Sequence, residues 1–146
     1  MPKIIYVYPF PKDRIAGGIK VGYQHVALLQ QAGYNAAVFQ PSGRASWFDS
    51  TVEVISGRRL IVDSKDIVVI PEGLGMSLHV IEAMKSRIFL FCQNQHYVFH
   101  EIIGEQSHYD LGIEQIYCCG QVPKRFLVIL TMTKHNRLNE CSAVAA

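Results

Sequence analysis

The chain has 146 residues, of which 49% are hydrophobic and 18% are charged, a composition typical of a globular domain. Its net charge is +2 and no basic run is longer than two residues, so it lacks the electrostatic footprint of a nucleic-acid-binding protein. No apolar stretch reaches the roughly 20 residues that a membrane-spanning helix needs, and we therefore expect no integral membrane segment.

The first 33 residues predict a strand, a loop with a glycine pair, and a helix. Lys3–Tyr8 is an apolar run typical of a buried strand, and the loop Pro9–Ala16 follows it. Gly17–Gly18 then stands at the start of a helix predicted over Gly18–Ala32, and Gly33 supplies the left-handed residue that ends it. The predicted buried stripe of this helix consists of residues three and four apart, namely Ile19, Gly22, Tyr23, Val26 and Leu29.

This arrangement has a chemical consequence at the start of the helix. A glycine-rich turn at a helix N-terminus leaves backbone N–H groups facing an anion, and the helix dipole favours negative charge there. We therefore predict that Gly17 and Gly18 contact a phosphorylated or carboxylated ligand. The segment is neither the Gly-x-Gly-x-x-Gly dinucleotide fingerprint nor a P-loop. The alternative is that both glycines serve only the conformation of the turn.

The middle of the chain predicts further strands. Tyr34–Gln40 forms a second strand, and Thr51–Ile55 and Arg59–Val62 form two short ones around a turn. Asp66–Ile70 is the clearest strand of all, because four consecutive β-branched residues follow its aspartate. A continuous apolar run indicates a strand covered on both faces, as in a parallel sheet.

Later elements continue the alternation of strands and helices. They are a helix at about Gly75–Ser86, a strand at Arg87–Cys92, a partly helical stretch at 94–108, a strand at Glu114–Cys119 and a short helix at Val122–Leu130. The alternation predicts an α/β fold with a single open parallel sheet and helices on both faces. Apolar periodicity fades from Thr131, so we expect one domain over residues 1–130 and an irregular C-terminal tail over 131–146.

The four cysteines match neither a disulfide framework nor a zinc-binding spacing. Cys118–Cys119 is interpreted as a strand end rather than a redox pair, because adjacent cysteines rarely reach disulfide geometry. The N-terminus lacks the apolar region and cleavage site of a signal peptide. We therefore expect a cytoplasmic protein with reduced thiols.

With these elements in place, the chain resembles the N-terminal half of a GT-B-fold glycosyltransferase of the broad family-4 group. These enzymes are retaining and use nucleotide sugars. The resemblance runs from Lys3 to about Leu127 and depends on the order and spacing of several segments, none specific alone. The segments are Gly17–Gly18, Gly22–Leu29, Ala32–Tyr34, Asp66–Glu72, Phe91–Tyr97 and Val122–Leu127.

The resemblance implies a Rossmann-like domain that mostly binds the sugar acceptor. It implies that Gly17 and Gly18 approach the donor phosphate or the acceptor, and that the loop after Arg87–Cys92 lines the reaction centre. That loop contains Asn94 and Gln95, predicted to bind substrate, and His96, predicted to be catalytic. The alternative for His96 is a hydrogen bond to a nearby carbonyl. No cofactor is implied other than a nucleotide sugar as donor substrate.

The sequence departs from the family in one respect. It contains no Glu-x7-Glu donor motif and ends where a donor-binding domain would begin. We therefore expect the chain to be inactive alone and to need a donor-binding domain, from a separate chain or a homodimer, docked on an apolar surface near Val122–Leu130. The alternative function is a non-catalytic α/β module that binds a phosphate or a sugar.

Two further groups of residues are candidates for a ligand contact and for a metal site. Glu72 follows the strand that ends at Pro71, so its carboxylate either faces the ligand or is simply solvated. His96 and His100 are four residues apart, which suits zinc, and Glu101 and His108 lie nearby. The zincin order is absent and the intervening residues suit ordinary packing, so we predict no metal site.

Overall fold

The structure is a computed structural model that describes residues 2–72, 86–93, 113–119 and 141–144. Seven strands and one helix lie in these ranges. They are β1 (Ile4–Val7), α1 (Gly17–Gln31), β2 (Ala36–Phe39), β3 (Val54–Ile55), β4 (Ile67–Pro71), β5 (Arg87–Cys92), β6 (Ile113–Cys119) and β7 (Cys141–Val144). No helix in the described part of the chain is long and apolar enough to cross a membrane.

The strands form one sheet in the order β3-β2-β1-β4-β5-β6-β7. Each pair with a defined register is parallel. The predicted α/β class with an open parallel sheet is therefore confirmed. The helices predicted at Gly75–Ser86, 94–108 and Val122–Leu130 lie outside the described residues, apart from Ser86 itself.

The chain divides into two compact units, of which the first contains Met1–Val69 and Lys85–Arg87. Its central strand is β1, where Ile5 pairs with Ala37 of β2 on one side and with Val68 of β4 on the other. The helix α1 contributes most of its predicted stripe to the core, with Ile19, Tyr23 and Val26 at 2% exposure or less. Leu29, the last residue predicted on this stripe, is only partly buried because it lies near the end of the helix. The helix ends before Gly33, whose φ of 85° is the predicted left-handed stop.

One strand predicted in this unit is wrong. Residues 59–62 form no strand, and the side chain of Ile61 is 91% exposed. The neighbouring prediction at Thr51–Ile55 is confirmed in part, since Val54–Ile55 pairs with β2 as β3. Apolar, β-branched composition favours a strand only where a neighbouring strand supplies hydrogen-bond partners and a buried face, and Ile61 has no buried face.

The second unit contains Ile70–Met84 and Ile88–Ala146. In it β5, predicted with the observed bounds, is buried from Ile88 to Cys92 and pairs with β6. β6 ends at Cys119, so the vicinal cysteines form a strand end as predicted. β7 pairs with β6 inside the segment predicted to be an irregular tail. The division at residue 130 stays a prediction.

The amino ends of β1 and β4 are joined by Asp66. Its carboxylate accepts hydrogen bonds from the backbone N of Lys3 at 2.9 Å and from that of Asp63 at 2.8 Å. The N–H of Asp63, and next that of Lys3, lower the pKa of this carboxyl from its usual value. Asp66 therefore stabilises the start of the sheet in its ionised form.

Substitution of Asp66 by asparagine is expected to lower the free energy of unfolding by about 1 kcal/mol at neutral pH, since an amide accepts only one of the two bonds well. The pKa of Asp66 is lower in the folded state, so its stabilisation is complete above the unfolded-state pKa and is lost as the pH falls through the folded-state pKa. Urea unfolding of both proteins across this acid range should show the difference shrinking. The exposed Asp49, changed to asparagine, is the control; an equal loss there would contradict the prediction.

Candidate functional site

The connection between β1 and α1 brings the glycine pair to the start of a helix. α1 begins at Gly17 after Ala16, whose extended backbone (φ −152°, ψ 127°) makes it the N-cap. Among the described residues no side chain caps this end with a hydrogen bond, and the first turn contains no acidic residue. The positive end of the helix dipole is therefore not neutralised by the helix itself. Gly17 and Gly18 lie together at this end, as the sequence predicts.

The start of α1 is fixed on β1 by Tyr8, directly after the strand. The side chain of Tyr8 is 1% exposed and lies against α1 at Gly22. Its hydroxyl donates a hydrogen bond of 3.3 Å to the carbonyl of Gly18. A Cβ added at Gly22 would lie 1.8 Å from the Tyr8 hydroxyl oxygen, so only glycine admits this ring. Gly22, which the sequence predicts on the buried face of α1, therefore also leaves the space that the Tyr8 ring occupies.

A buried polar network connects the loop after β1 to the loop after β2. Gln40 has no exposed surface, and its Nε2 donates to the carbonyls of Phe10 at 3.2 Å and Pro11 at 3.3 Å. Its Oε1 accepts a 2.7 Å hydrogen bond from the hydroxyl of Tyr23. The Tyr23 hydroxyl in turn accepts from the backbone N of Ala45 at 3.1 Å. Two loops and α1 are thereby held together.

The second loop covers this network with aromatic side chains. The ring of Phe48 meets Tyr23 edge to face at 5.0 Å and Trp47 at 4.6 Å. Burial, opposed by the Ala45 hydrogen bond and by Arg44, raises the pKa of Tyr23 above its usual value. Tyr23 therefore remains a protonated donor at neutral pH. The buried Nε1 of Trp47 has no hydrogen-bond partner among the described residues.

Cationic side chains stand in the loop that precedes α1. Lys12 and Arg14 are exposed, and the guanidinium of Arg14 lies 4.9 Å from the centre of the Phe10 ring. The loop is pinned at Lys12, whose carbonyl accepts hydrogen bonds from Ser46 N at 2.9 Å and Ser46 Oγ at 3.3 Å. The loop that leads to the N-terminus of α1 is therefore fixed in place by hydrogen bonds. It contains two cationic residues and one acidic residue, Asp13.

The sheet topology places this loop at a switch point. β1 is followed in sequence by β2 on one side of it and later by β4 on its other side. In open α/β sheets ligands bind in the crevice beyond the carboxyl ends of the strands where the strand order reverses. The loop that leads into Gly17 and Gly18 starts at the carboxyl end of β1, next to this reversal.

Glu72 belongs to the second unit and already has a protein partner. Its Oε2 accepts a hydrogen bond of 2.9 Å from the backbone N of Gln93. Its own backbone N donates to the carbonyl of Phe91 at 3.2 Å. Glu72 thus holds the residue that directly precedes Asn94 in sequence. Its predicted contact with a ligand stays a prediction.

The other predicted site residues lie outside the described part of the chain. These are Asn94, Gln95 and His96. The residues considered with His96 as a metal site, His100, Glu101 and His108, also lie outside it. Within the described ranges no group of three or more histidine, cysteine, aspartate or glutamate side chains is placed to hold a metal ion.

Sequence reasoning missed Gln40 and the polar role of Tyr23. The available signal was a glutamine at the end of an otherwise apolar strand, which is unusual for a buried position. Comparison of the chain with family models, with curated proteins and with solved structures finds no match.

Proposed function

We propose that this protein is the acceptor-side domain of a nucleotide-sugar-dependent, retaining glycosyltransferase, which binds an anionic group at the start of α1. The observation that supports the proposal best is the N-terminus of α1, where a glycine pair starts a helix whose first turn contains no acidic residue, next to the switch point of the sheet. The sugar and glycosyltransferase parts of the proposal depend on the sequence resemblance.

On this proposal the donor phosphate or a phosphorylated acceptor lies at the start of α1, beside Gly17 and Gly18. Lys12 and Arg14, in the loop that precedes α1, attract the anionic ligand to this end of the helix. Asn94, Gln95 and Glu72 contribute polar contacts, and His96 acts in the transfer step. The chain needs a donor-binding domain from a separate chain or a second copy for activity, and the nucleotide sugar is its donor substrate.

The second candidate is a non-catalytic module that binds a phosphate or a sugar. It is favoured by the same helix N-terminus, because that geometry explains binding of an anion without any chemical step. Calorimetric titration with UDP, a panel of nucleotide sugars and candidate acceptor glycans, with a transfer assay on the same samples, separates the two. Transfer, alone or with an added donor-binding domain, supports the first candidate, and binding without transfer under both conditions supports the second.

The substitution Gly17→Asp tests the anion site directly. An added Cβ at Gly17 meets no atom of the described residues within 4 Å, so the variant is expected to fold. Its carboxylate would occupy the positive end of the helix dipole, which stabilises the helix by about 0.3–1 kcal/mol and repels an anion. We expect UDP and inorganic sulfate to bind at least about tenfold more weakly.

The control is Gly17→Ala, which adds the same Cβ without a charge. It should keep wild-type affinity for both anions. Thermal unfolding should show that neither variant is less stable than wild type. Equal anion binding by Gly17→Asp and wild type, or no anion binding by wild type, would contradict the proposed site.

A further inference from the structure

Residues 58–62 lie in the connection between β3 and β4 and are not held by hydrogen bonds. They belong to no helix or strand, and none of them forms a hydrogen bond or an ion pair with another described residue. Arg58 and Arg59 are exposed, and the side chain of Ile61 is 91% exposed. A partner can therefore bind the backbone of this segment without first breaking native hydrogen bonds.

The chain is fixed on both sides of this segment. Before it, the N–H of Gly57 donates to the carbonyl of Pro41 at 3.1 Å. After it, the backbone N of Asp63 donates to Oδ2 of Asp66 at 2.8 Å, and β4 begins at Ile67. Residues 58–62 are thus a short exposed loop between two fixed points, and such loops are where proteases preferentially cut folded proteins.

The residue types in this loop match the substrates of one class of protease. Serine proteases that have an acidic residue in the primary specificity pocket cut after a cationic residue. A bound peptide segment pairs its backbone N–H and C=O groups with the partner, while pockets take its alternate side chains. Arg58 and Arg59 supply the cationic side chain, and their neighbours up to Val62 have backbone groups without a partner among the described residues.

The other lysines and arginines in the described part of the chain are fixed at the backbone or the side chain. Lys20 belongs to α1 and Arg87 to β5. The guanidinium of Arg44 donates to the carbonyl of Ser50. The remaining four, each with a backbone N–H or C=O group in a hydrogen bond, are Lys3, Lys12, Arg14 and Lys65. Only at Arg58 and Arg59, within the described ranges, are both the backbone and the cationic side chain available.

A break in this loop does not cut the sheet in two. In β1, Ile5 pairs with Ala37 of β2, which precedes the loop, and with Val68 of β4, which follows it. The backbone N of Lys3 also donates to Asp66 Oδ1 at 2.9 Å. The two pieces of a chain cut in the loop are therefore held together by the pairing of β1 with β4.

We propose that Arg58–Arg59 is a cleavage site for an arginine-specific serine protease, which hydrolyses the peptide bond after one of these arginines. One water molecule is consumed. The carbonyl carbon of the arginine becomes a carboxylate, and the nitrogen of the next residue becomes a free amino group. The cleaved protein stays folded through β1 and β4, so cleavage releases the β3–β4 connection without releasing either piece. This inference does not depend on the proposed function.

The experiment is brief digestion of the native full chain with trypsin, followed by mass spectrometry at low conversion. Among the bonds within residues 2–72, we expect cleavage after Arg58 or Arg59 to be at least about tenfold faster than cleavage after any other residue, because the other sites must first open. On size-exclusion chromatography the two pieces should elute together without denaturant and separately in urea.

The test variant carries both Arg58→Gln and Arg59→Gln. Neither side chain has a partner in the described part of the chain, so the variant is expected to fold with an unchanged melting temperature. Its cleavage within residues 2–72 should be at least about tenfold slower than in wild type. The matched control is Lys65→Gln, which removes an exposed cation from the same connection and should leave the wild-type rate unchanged.

Cleavage after Arg14, Arg44 or Lys65 at the rate seen after Arg58 and Arg59 would overturn the proposal, because it would show that the whole unit opens before it is cut. Undiminished cleavage of the double variant within residues 2–72 would also overturn it. Separate elution of the two pieces without denaturant would contradict the expected retention through β1 and β4.

Discussion

Substitution of Gly22 by alanine is expected to lower the free energy of unfolding by at least about 2 kcal/mol, or roughly 6 °C in melting temperature. Alanine in place of glycine inside a helix ordinarily stabilises a protein by about 1 kcal/mol. The structure reverses the sign, because the added Cβ would lie 1.8 Å from the Tyr8 hydroxyl oxygen and 2.4 Å from its Cζ.

The Tyr8 ring cannot easily move out of the way. Its side chain is 1% exposed, and its hydroxyl is bonded to the carbonyl of Gly18 one turn earlier in α1. Relief therefore requires either a shift of α1 on the sheet or an off-rotamer ring. Because α1 starts one turn before this contact, a shift would also displace Gly17, at which the proposed function places the anionic ligand.

The measurement is urea unfolding of Gly22→Ala beside the control Gly17→Ala on the same helix, where an added Cβ meets nothing within 4 Å in the part of the chain that the structure describes. We expect the control to be as stable as wild type or slightly more stable. In a Tyr8→Ala background the Gly22→Ala change should cost almost nothing, since the clash is then absent. A similar loss with and without Tyr8 would show that Gly22 matters for another reason.

Removal of the Tyr23 hydroxyl is the second large effect. Tyr23→Phe keeps the ring and its contact with Phe48 but leaves Gln40 Oε1 and the N–H of Ala45 without their partner. Both groups belong to residues at 3% exposure or less. A buried polar group that loses its hydrogen bond costs about 1–3 kcal/mol, so we expect a total loss of about 2–4 kcal/mol.

The control for this variant is Tyr34→Phe, which removes the same atom from a ring that is 56% exposed. Chemical unfolding should show a change near zero for Tyr34→Phe and the full loss for Tyr23→Phe. Equal stabilities of the two variants would contradict the buried network. A double variant with Gln40→Met should lose less than the sum of the single losses, because one network is removed twice.

Local sequence patterns predicted much of the first unit. The apolar run Ile4–Val7, the three- and four-residue spacing along α1 as far as Val26 and the stop at Gly33 match the structure. These features depend on residues close in sequence, and their backbone preferences and periodicity can be recognised without knowledge of the fold. The position of Gly17 and Gly18 at the start of the helix was predicted for the same reason.

Patterns failed where a strand depends on a distant neighbour. Arg59–Val62 has strand-like composition yet forms none, whereas Cys141–Val144 has small, weakly patterned residues and pairs with β6. The availability of a partner edge decides such segments more than their own composition does. Gln40 forms hydrogen bonds with Tyr23, 17 residues away in sequence, and with Phe10, 30 residues away. No short-range sequence pattern predicts contacts at such separations.

The sequence by itself determined the parallel α/β class, the strand–glycine–helix order of the first 33 residues and the place of the glycine pair at the start of α1. Tertiary structure decided that Gly22 must be glycine, that Tyr23 and Gln40 share a buried hydrogen bond, and that Asp66 ties two strands together. The physical reason is the range of the interactions. Backbone preferences and apolar periodicity act over a few residues, whereas a steric contact or a buried hydrogen bond requires that the fold first bring distant residues within a few ångströms.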